Sequence, residues 1–419
     1  MEYQSEGVWV NGDHIAQHLG AMLPTPAADL LYVALGIYRH DREVCRKGWR
    51  RSIGALGLSL KDPVRWTQNA DLIEHALGGL TDDDWCLEFV SGRPTSDPEQ
   101  HAQGRLDPLR ADAVALFSGG VDSFAGASVW LESHPHESLL LVTGASSTAL
   151  RASQHRLARH LMETFSPRVK AIQIPLGLVR PGRTEKSQRS RGFLYPAIGT
   201  ALASALGIER GFIFENGYGA INPRLGLHLQ GAQSNKSTHP RSVAALNHVF
   251  RELEFAVEWS LPFLHSTKAE VMSRMPEALR PALKVTFSCD SYPLRCKEKQ
   301  CGWCGSCMLR QQAFWASQLQ EFDRRDYHSS PFRSHSVQHS GRLLPYQAWE
   351  FLESGGGAGE PWTEKWPELA LDDPDPKELD RRIQLMERYG AEWKSTMLGH
   401  PGLARAIGWP LDPAAGLAA

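Results

Sequence analysis

The stretch Ala113-Val114-Ala115-Leu116-Phe117-Ser118-Gly119-Gly120-Val121-Asp122-Ser123 decides the fold class of this chain. Its first five residues form a continuous apolar run, which is typical of a strand buried on both faces. A pair of glycines follows, and residues 122–133 suit a helix. A strand that turns through glycines into a helix predicts the first unit of an α/β domain.

The same alternation repeats downstream of this unit. Apolar runs at 139–142, 169–174 and 211–214 predict three more strands, while 149–165 and 193–206 predict helices between them. Repeated β–α units of this length predict a parallel, doubly wound sheet.

A chain of 419 residues is too long for one compact core. Changes of pattern divide it into an N-terminal accessory domain (1–110), the α/β domain (111–320) and a mostly helical C-terminal extension (321–419). Within the extension, residues 375–389 predict an amphipathic helix that begins at a capping aspartate and ends before Gly390.

The overall charge is close to neutral, with 45 Lys and Arg residues against 47 Asp and Glu residues. This balance does not support nucleic-acid binding as a global property. The basic cluster of Arg46, Lys47, Arg50 and Arg51 is interpreted as a solvated helix face, with a partner or nucleic acid as the alternative. No segment suits a signal peptide or a membrane span, so we expect a cytoplasmic protein without membrane contact.

Residues 118–123 suit a phosphate-binding loop. Gly119 and Gly120 allow a tight turn and a close approach to a ligand, and the following helix offers N–H groups and a positive dipole end to an anion. The serines at both ends add hydroxyl donors, and we expect Asp122 to lie near bound Mg²⁺ or to orient the loop. The Walker pattern is absent from the sequence, and a plain glycine turn is the alternative.

Five of the seven cysteines fall within residues 289–307, which points to a metal site. Cys301-Gly302-Trp303-Cys304-Gly305-Ser306-Cys307 contains two overlapping Cys-x-x-Cys steps, a spacing that turns thiolates onto one ion. Tetrahedral Zn²⁺ needs a fourth ligand, for which Cys289 and Cys296 are both candidates. An iron–sulfur cluster is the alternative to zinc.

The loop hexamer resembles the signature of the PP-loop ATP pyrophosphatases, whose shared chemistry is adenylation of a substrate oxygen with loss of pyrophosphate. Combined with Ser288-Cys289 and the Cys301–Arg310 segment, it resembles the 7-cyano-7-deazaguanine synthase (QueC) family. The resemblance implies ATP, Mg²⁺ and Zn²⁺ as cofactors. The implied ATP-binding residues are Ser118, Gly119, Gly120, Val121, Asp122 and Ser123, and the implied zinc ligands are Cys289, Cys301, Cys304 and Cys307, with Cys296 extra.

Two further segments are similar to parts of this family. Residues 189–194 resemble its Arg-Asn-x-x-Phe-Leu segment, and residues 262–270 resemble the segment that ends in Lys-x-Glu. The resemblance implies that Arg189, Arg191 and Lys268 stabilise the leaving pyrophosphate and, with Asp122, form the catalytic set. Solvated surface charge is the alternative for the three basic residues.

One segment departs from the family pattern. Where the family has Tyr-Pro-Asp-Cys-Arg-Pro-Glu-Phe, associated with the deazaguanine substrate, this chain has residues 215–224. Arg224 matches the family's arginine, and Glu215 and Asn216 are the other candidate substrate residues. The substrate implied by the resemblance is a 7-deazaguanine such as 7-carboxy-7-deazaguanine.

The long terminal regions resemble those of the longer QueC-like proteins of bacterial anti-phage systems, of which QatC is one. That branch implies transfer of the adenylated carboxylate to an amine on a partner protein. The alternatives are a nitrile-forming enzyme that uses ammonia, a tRNA thiolase, and a non-catalytic scaffold with a relic nucleotide site.

Overall fold

A computed structural model defines the architecture of the chain. It describes residues 2–5, 8–11, 15, 19–20, 23–92, 109–145, 147–178, 185, 187–225, 236–290, 299–323, 326–334, 339–354, 362–371, 375 and 377–410.

The chain divides into two compact units that each draw on separated parts of the sequence. The first unit comprises residues 1–118, 134–214 and 231–262, and the second comprises residues 119–133, 215–230 and 263–419. These units do not coincide with the segments 1–110, 111–320 and 321–419, which remain a predicted division of the sequence.

All the strands of the described residues lie in the first unit. They are β1 (Glu2–Ser5), β2 (Val8–Asn11), β3 (Leu56–Leu60), β4 (Leu87–Ser91), β5 (Ala113–Leu116), β6 (Leu139–Ala145), β7 (Val169–Leu178), β8 (Arg210–Ile213) and β9 (Glu258–Ser260). The larger sheet has the order β1-β2-β7-β6-β5-β8-β9, and β3 pairs with β4 in a separate sheet.

The centre of the larger sheet is parallel, as the apolar runs predict. Strands β7, β6, β5, β8 and β9 pair in parallel, with Val114 opposite both Leu140 and Gly211. Val114 and Leu140 are completely buried, because a central parallel strand is covered on both faces. The predicted α/β class with a parallel sheet is therefore confirmed.

The N-terminal residues extend this sheet. Strand β2 pairs antiparallel with β7, and β1 pairs antiparallel with β2, so both add to the β7 edge. Trp85, Leu87 and Phe89 alternate with Cys86 and Glu88, a pattern that predicts a strand where β4 lies, and all three are buried. The parallel pairing of β4 with β3 could not be predicted from that alternation.

The helices account for most of the remaining described residues. They are α1 (Thr25–Glu43), α2 (Val64–Gln68), α3 (Ala70–Thr81), α4 (Val121–Ser133), α5 (Thr148–Thr164), α6 (Arg191–Leu206), α7 (Gly217–Ile221), α8 (Pro240–Glu252), α9 (Lys268–Ser273), α10 (Gly305–Ala316), α11 (Pro331–Ser334), α12 (His339–Ser354), α13 (Trp362–Lys365), α14 (Lys377–Gly399) and α15 (Pro401–Ile407). Short 3-10 helices span Glu277–Val285, Gln320–Phe322 and Pro367–Leu369.

The basic cluster of the N-terminal region is not a solvated helix face, so that interpretation is wrong. The side chains of Arg46 and Arg51 are only 3% and 7% exposed, and each contacts the carboxylates of both Asp41 and Asp83. The segment is not helical, and only Arg50 of these three arginines is well exposed. The buried carboxylates of Asp41 and Asp83 thus bind two arginines, Arg46 and Arg51, that the sequence pattern predicts to be surface charges.

Helix α14 begins as predicted but runs well past its predicted end. Asp375 Oδ1 accepts a hydrogen bond from the Lys377 N–H at 3.0 Å, in keeping with a capping role. The helix continues through Gly390 to Gly399. A Cβ at Gly390 would meet Ala348 O of α12 at 2.7 Å, so this glycine permits two helices to approach closely and does not end one.

No helix among the described residues combines the length and the apolar character needed to cross a membrane.

Candidate active site and metal centre

The turn after β5 forms as the glycines predict. Gly119 has φ +78°, a left-handed conformation that favours glycine. Its carbonyl accepts a hydrogen bond from Phe287 N–H at 3.3 Å. Helix α4 follows, and its ladder begins with Phe124 N–H donating to Gly120 O at 3.1 Å. The N–H groups of a first helical turn have no intrahelical acceptor, which is the arrangement that suits an anion.

The two serines of the loop have different surroundings. Ser118 is exposed, and in the first unit its carbonyl accepts a hydrogen bond from Gln154 Nε2 at 3.1 Å. Ser123 is 5% exposed, and its hydroxyl donates to Gly120 O at 3.2 Å. The Ser123 hydroxyl therefore supports the turn, and its predicted contact with a phosphate stays a prediction.

Asp122 lies at the centre of a polar cluster in the second unit. Its Oδ2 is 2.5 Å from Lys268 Nζ, and its Oδ1 accepts a hydrogen bond from Asn216 Nδ2 at 2.9 Å. Both carboxylate oxygens thus contact donors from other segments of the chain. This geometry fits the expectation that Asp122 orients the loop.

Asn216 arranges the segment that follows β8. It is the N-cap of α7, where its Oδ1 accepts a hydrogen bond from Gly219 N–H at 3.0 Å. Its Nδ2 also donates to Glu215 Oε1 at 2.8 Å. A Cβ at Gly219 would lie 2.5 Å from Glu215 Oε1, so glycine leaves room for the carboxylate at this position.

The carboxyl group of Glu215 has strongly shifted acidity. Burial and the nearby charge of Asp122 raise its pKa to about 8, and the ammonium of Lys268 only partly offsets this rise. Near neutral pH a large share of Glu215 is therefore protonated. A carboxyl group with such a pKa can both accept and return a proton.

Lys268 remains an ammonium despite its burial. Burial alone would lower its pKa, but the carboxylates of Asp122 and Glu215 outweigh that effect and raise it. The residue is the first of α9, directly after the N-cap Thr267, whose hydroxyl accepts a hydrogen bond from Glu270 N–H at 3.1 Å. The Glu270 carboxylate accepts in return from Thr267 N–H at 2.9 Å, which completes a capping box.

Arg189 and Arg191 lie in the first unit, on either side of Ser190. The N–H and hydroxyl of Ser190 both donate to Asp41, at 2.9 and 2.8 Å. Arg189 Nη1 donates to two backbone carbonyls of the N-terminal region, at 2.7 and 2.8 Å, and Arg191 is exposed. Arg189 thus links the backbone at Trp49 to the backbone at Thr81. Contact of either arginine with pyrophosphate remains a prediction.

Arg224 belongs to the second unit but is engaged elsewhere. Its Nε lies 3.3 Å from Glu368 Oε1, and its carbonyl accepts a hydrogen bond from Gln347 Nε2 at 2.6 Å. The predicted substrate residues therefore separate into the pair Glu215 and Asn216, which joins the Asp122 cluster, and Arg224, which contacts the C-terminal region.

Four of the predicted metal ligands converge in the second unit. The sulfurs of Cys289, Cys301, Cys304 and Cys307 all lie within 4.8 Å of one another, and all but Cys304 are buried. The Sγ atoms of Cys301 and Cys307 are 3.8 Å apart. Cys296 lies outside the described residues, so its role as a ligand stays open.

The local backbone explains why these thiols meet. Cys301 N–H lies 3.4 Å from Cys289 Sγ, and Cys304 N–H lies 3.3 Å from Cys301 Sγ, so backbone donors point at sulfur. Gly302 has φ +90°, and a Cβ there would lie 1.5 Å from Ser329 O. Only glycine can therefore take this position in the turn.

The donor set fits a single zinc ion. Tetrahedral Zn–S bonds of about 2.3 Å place two sulfurs about 3.8 Å apart, as observed for Cys301 and Cys307. Contact with the sulfur of Cys289, together with burial, raises the pKa of Cys304 and Cys307. A divalent cation would offset this and stabilise the thiolates that metal binding requires.

Some residues that organise the site carry no obvious signal in the sequence. The Thr267-x-x-Glu270 capping box is readable as a helix start, but the contacts of this box with Glu392 and Arg388 come from α14. Both residues look like solvated charges of an amphipathic helix, so sequence reasoning missed them.

The fold and site define an α/β protein with a glycine turn before a helix and a cluster of four thiols that could hold a metal ion. The family model of the queuosine biosynthesis protein QueC matches residues 225–318. That range contains Lys268 and all four clustered cysteines, whereas the loop at 118–123 lies outside it. The match supports a QueC-like protein and suggests ATP pyrophosphatase or ligase chemistry; none of the curated proteins matches the chain.

Proposed function

We propose that this chain is a QueC-like ligase that activates the carboxylate of a 7-deazaguanine, such as 7-carboxy-7-deazaguanine, with ATP. Pyrophosphate leaves in the first step, and the acyl group then passes to an amine with release of AMP. The proposed acceptor is an amine on a partner protein in a bacterial anti-phage system.

One observation carries the proposal. Lys268 belongs to the segment that matches QueC, and its ammonium lies 2.5 Å from Asp122 in the Ser-Gly-Gly-Val-Asp-Ser loop. The matched segment and the loop therefore contribute side chains to the same polar cluster. This supports reading the loop as the ATP-binding part of a QueC-like enzyme.

The first step requires stabilisation of phosphate charge. The first turn of α4 would bind phosphate oxygens, and Mg²⁺, when bound, would neutralise charge that develops on the leaving pyrophosphate. An ammonium has three donors, so Lys268 can keep its contact with Asp122 and still donate to a phosphate oxygen. Arg189 and Arg191 are proposed to assist, on the family resemblance alone.

The second step requires that the attacking amine lose a proton. Its nitrogen forms a bond to the acyl carbon, the bond to AMP breaks, and the proton from nitrogen moves to the Glu215 carboxylate. Asn216 fixes one oxygen of that carboxylate at 2.8 Å. With a pKa of about 8, Glu215 accepts this proton in its ionised form, and the ionised fraction grows as the pH rises through about 8.

The zinc ion would have a structural role. Cys289, Cys301, Cys304 and Cys307 would hold it with four sulfurs, which leaves no open position for a substrate. The proposed ion would link the segment that contains Cys289 to the start of α10.

Ammonia is the alternative acceptor, because the matching family model is that of QueC itself. The chain would then make a nitrile from 7-carboxy-7-deazaguanine. The test supplies ATP, Mg²⁺ and 7-carboxy-7-deazaguanine to the purified chain, with and without ammonium, and measures the masses of products and of proteins co-expressed from neighbouring genes.

Each outcome of this test has a distinct meaning. A mass gain on a co-expressed protein that needs intact Asp122 supports protein acylation, whereas ammonium-dependent nitrile formation without any protein mass gain contradicts it. Asp122→Ala is the inactive comparison, and Asp71→Ala, an exposed aspartate on α3, is the matched control. Absence of both ATP binding and pyrophosphate release would favour the scaffold alternative.

A further inference from the structure

Helix α14 of the C-terminal region contacts both segments that supply the side chains around Asp122. We propose that α14 is a positioning element for this site, and that Glu392 and Tyr389 set the places of Lys268 and of the Glu215–Asn216 pair. The activity part of this inference rests on the proposed function.

The first contact is at the start of α9. Thr267, which precedes Lys268, donates its hydroxyl hydrogen to Glu392 Oε1. The same hydroxyl oxygen accepts the capping hydrogen bond from Glu270 N–H at 3.1 Å. Because Glu392 accepts the single hydroxyl hydrogen, the lone pairs of the Thr267 oxygen face the N–H groups at the start of α9. The two hydrogen bonds together fix the backbone that carries Lys268.

A second side chain of α14 strengthens this contact. Arg388 Nε donates to Glu270 Oε1 at 2.7 Å, and its Nη2 donates to His265 O at 2.7 Å. Arg388 lies one turn before Glu392, so consecutive turns of one helix bind the two sides of the capping box. The position of Lys268 therefore depends on residues more than a hundred positions away.

The next contact is at α7, which follows Glu215 and Asn216. The rings of Tyr218 and Tyr389 stack with centroids 3.9 Å apart and planes at 16°. A Cβ on Gly217 would lie 2.4 Å from Leu385 Cδ2 and 1.9 Å from Leu264 O, so glycine lets α7 approach α14 and the Lys268 segment together. Gly217 N–H donates to Ser266 O at 2.8 Å, which joins the two segments directly.

The residues of α14 that make these contacts share one face. Arg388 and Tyr389 lie three and four residues after Leu385, and Glu392 lies four and three residues after them, which is the spacing of a single helical face. Glu392 also accepts a hydrogen bond from Gln312 Nε2 on α10, at 3.3 Å.

Simple packing does not explain a carboxyl group at Glu392. Burial raises its pKa to about 7, so the site disfavours the charge that a surface glutamate would carry freely. An apolar residue would fill the space without that cost. The carboxyl group supplies two acceptor oxygens, one for Thr267 and one for Gln312.

The test compares three variants of α14. Glu392→Ala removes the acceptor for Thr267, Glu392→Gln retains an acceptor of the same shape, and Glu387→Ala is the control on the same helix, about 140° round its axis from Glu392. Two measurements are made: pyrophosphate release from ATP–Mg²⁺ with 7-carboxy-7-deazaguanine, and hydrogen–deuterium exchange of residues 215–221 and 264–273.

We expect Glu392→Ala to lower kcat about 10- to 100-fold, as a misplaced catalytic group does, with the KM for ATP within about twofold because the phosphate loop is intact. Exchange of both segments should rise, while Glu392→Gln and Glu387→Ala should stay close to the wild type. Unchanged kcat and exchange in folded Glu392→Ala would overturn the inference. If the wild type releases no pyrophosphate, the proposed function fails, and the exchange data alone decide the positioning role.

Discussion

The carboxylate of Asp122 joins two parts of the sequence that lie far apart. Asn216 donates to one oxygen at 2.9 Å, and Lys268 contacts the other at 2.5 Å. Because Asp122 lies in the first turn of α4, these contacts orient the start of the helix that would bind phosphate. Loss of either partner should therefore affect both the stability of the second unit and its chemistry.

Lys268→Met should destabilise the protein by about 2 kcal/mol, since it leaves the Asp122 carboxylate without its charged partner. The free energy of unfolding is measured in urea for Lys268→Met, for Asp122→Asn and for the variant that combines both substitutions. The double variant should recover part of the loss, because no unpaired charge remains. Strict additivity of the two effects would show that the pair is not coupled.

Glu215→Gln should lower amine-dependent AMP release by about 100-fold, because the group that accepts the proton is lost. Glu215 is protonated below its pKa of about 8 and cannot accept a proton there, so the wild-type rate should rise as the pH increases through about 8. The variant should lack this rise, while Glu209→Gln, at an exposed position, should keep it. A full rate and an unchanged pH profile in Glu215→Gln would exclude Glu215 as the proton acceptor.

At the scale of elements, the segment 289–307 and helix α14 both depend on residues that permit close approach. Gly302 lies against Ser329 O, and Gly390 lies against Ala348 O. Neither contact involves a side chain that binds a ligand, yet the first shapes the cluster of four cysteines and the second lets α14 pack closely on α12. Both positions are therefore sensitive to the addition of a single methyl group.

Gly390→Ala should destabilise the protein by about 1–3 kcal/mol, because the new methyl group would overlap a backbone carbonyl. Gly399→Ala is the matched control on α14, since a Cβ there has nothing within 4 Å. Thermal unfolding should show a lower Tm for the first variant and an unchanged or higher Tm for the second. Equal effects of the two substitutions would contradict the close packing of α14 on α12.

Removal of the proposed zinc should loosen the segment around the four cysteines, because metal binding and local folding are coupled. Cys301→Ser should abolish a stoichiometric zinc content, whereas Cys86→Ser, at an exposed cysteine, should retain it. Elemental analysis of the purified variants checks this. Iron in place of zinc, or full zinc content in Cys301→Ser, would contradict the assignment.

The elements with a strong local signal were predictable from the sequence, and the pairings between distant residues were not. Strand β5 and helix α4 follow from an apolar run and a glycine turn, which are local features. The contact of Asp122 with Lys268 spans 146 positions, and no pattern in the sequence encodes it apart from a family resemblance. Arg46 was misjudged for the same reason, because its buried partner Asp83 lies 37 residues further along the chain.

At the scale of the whole molecule, the regions outside the QueC match take part in both compact units. Strands β1 and β2 extend the central sheet of the first unit, and α14 contacts the site segments of the second unit. The terminal regions therefore belong to the architecture of the units.

The central claim is that the chain splits ATP into AMP and pyrophosphate only when a carboxylated 7-deazaguanine is present. Phosphorus-31 NMR of purified protein with ATP, Mg²⁺ and 7-carboxy-7-deazaguanine tests it directly. We predict equal amounts of AMP and pyrophosphate, with a rate at least about 100-fold lower in Asp122→Ala. Formation of ADP and phosphate, or cleavage that does not depend on the deazaguanine, would contradict the account.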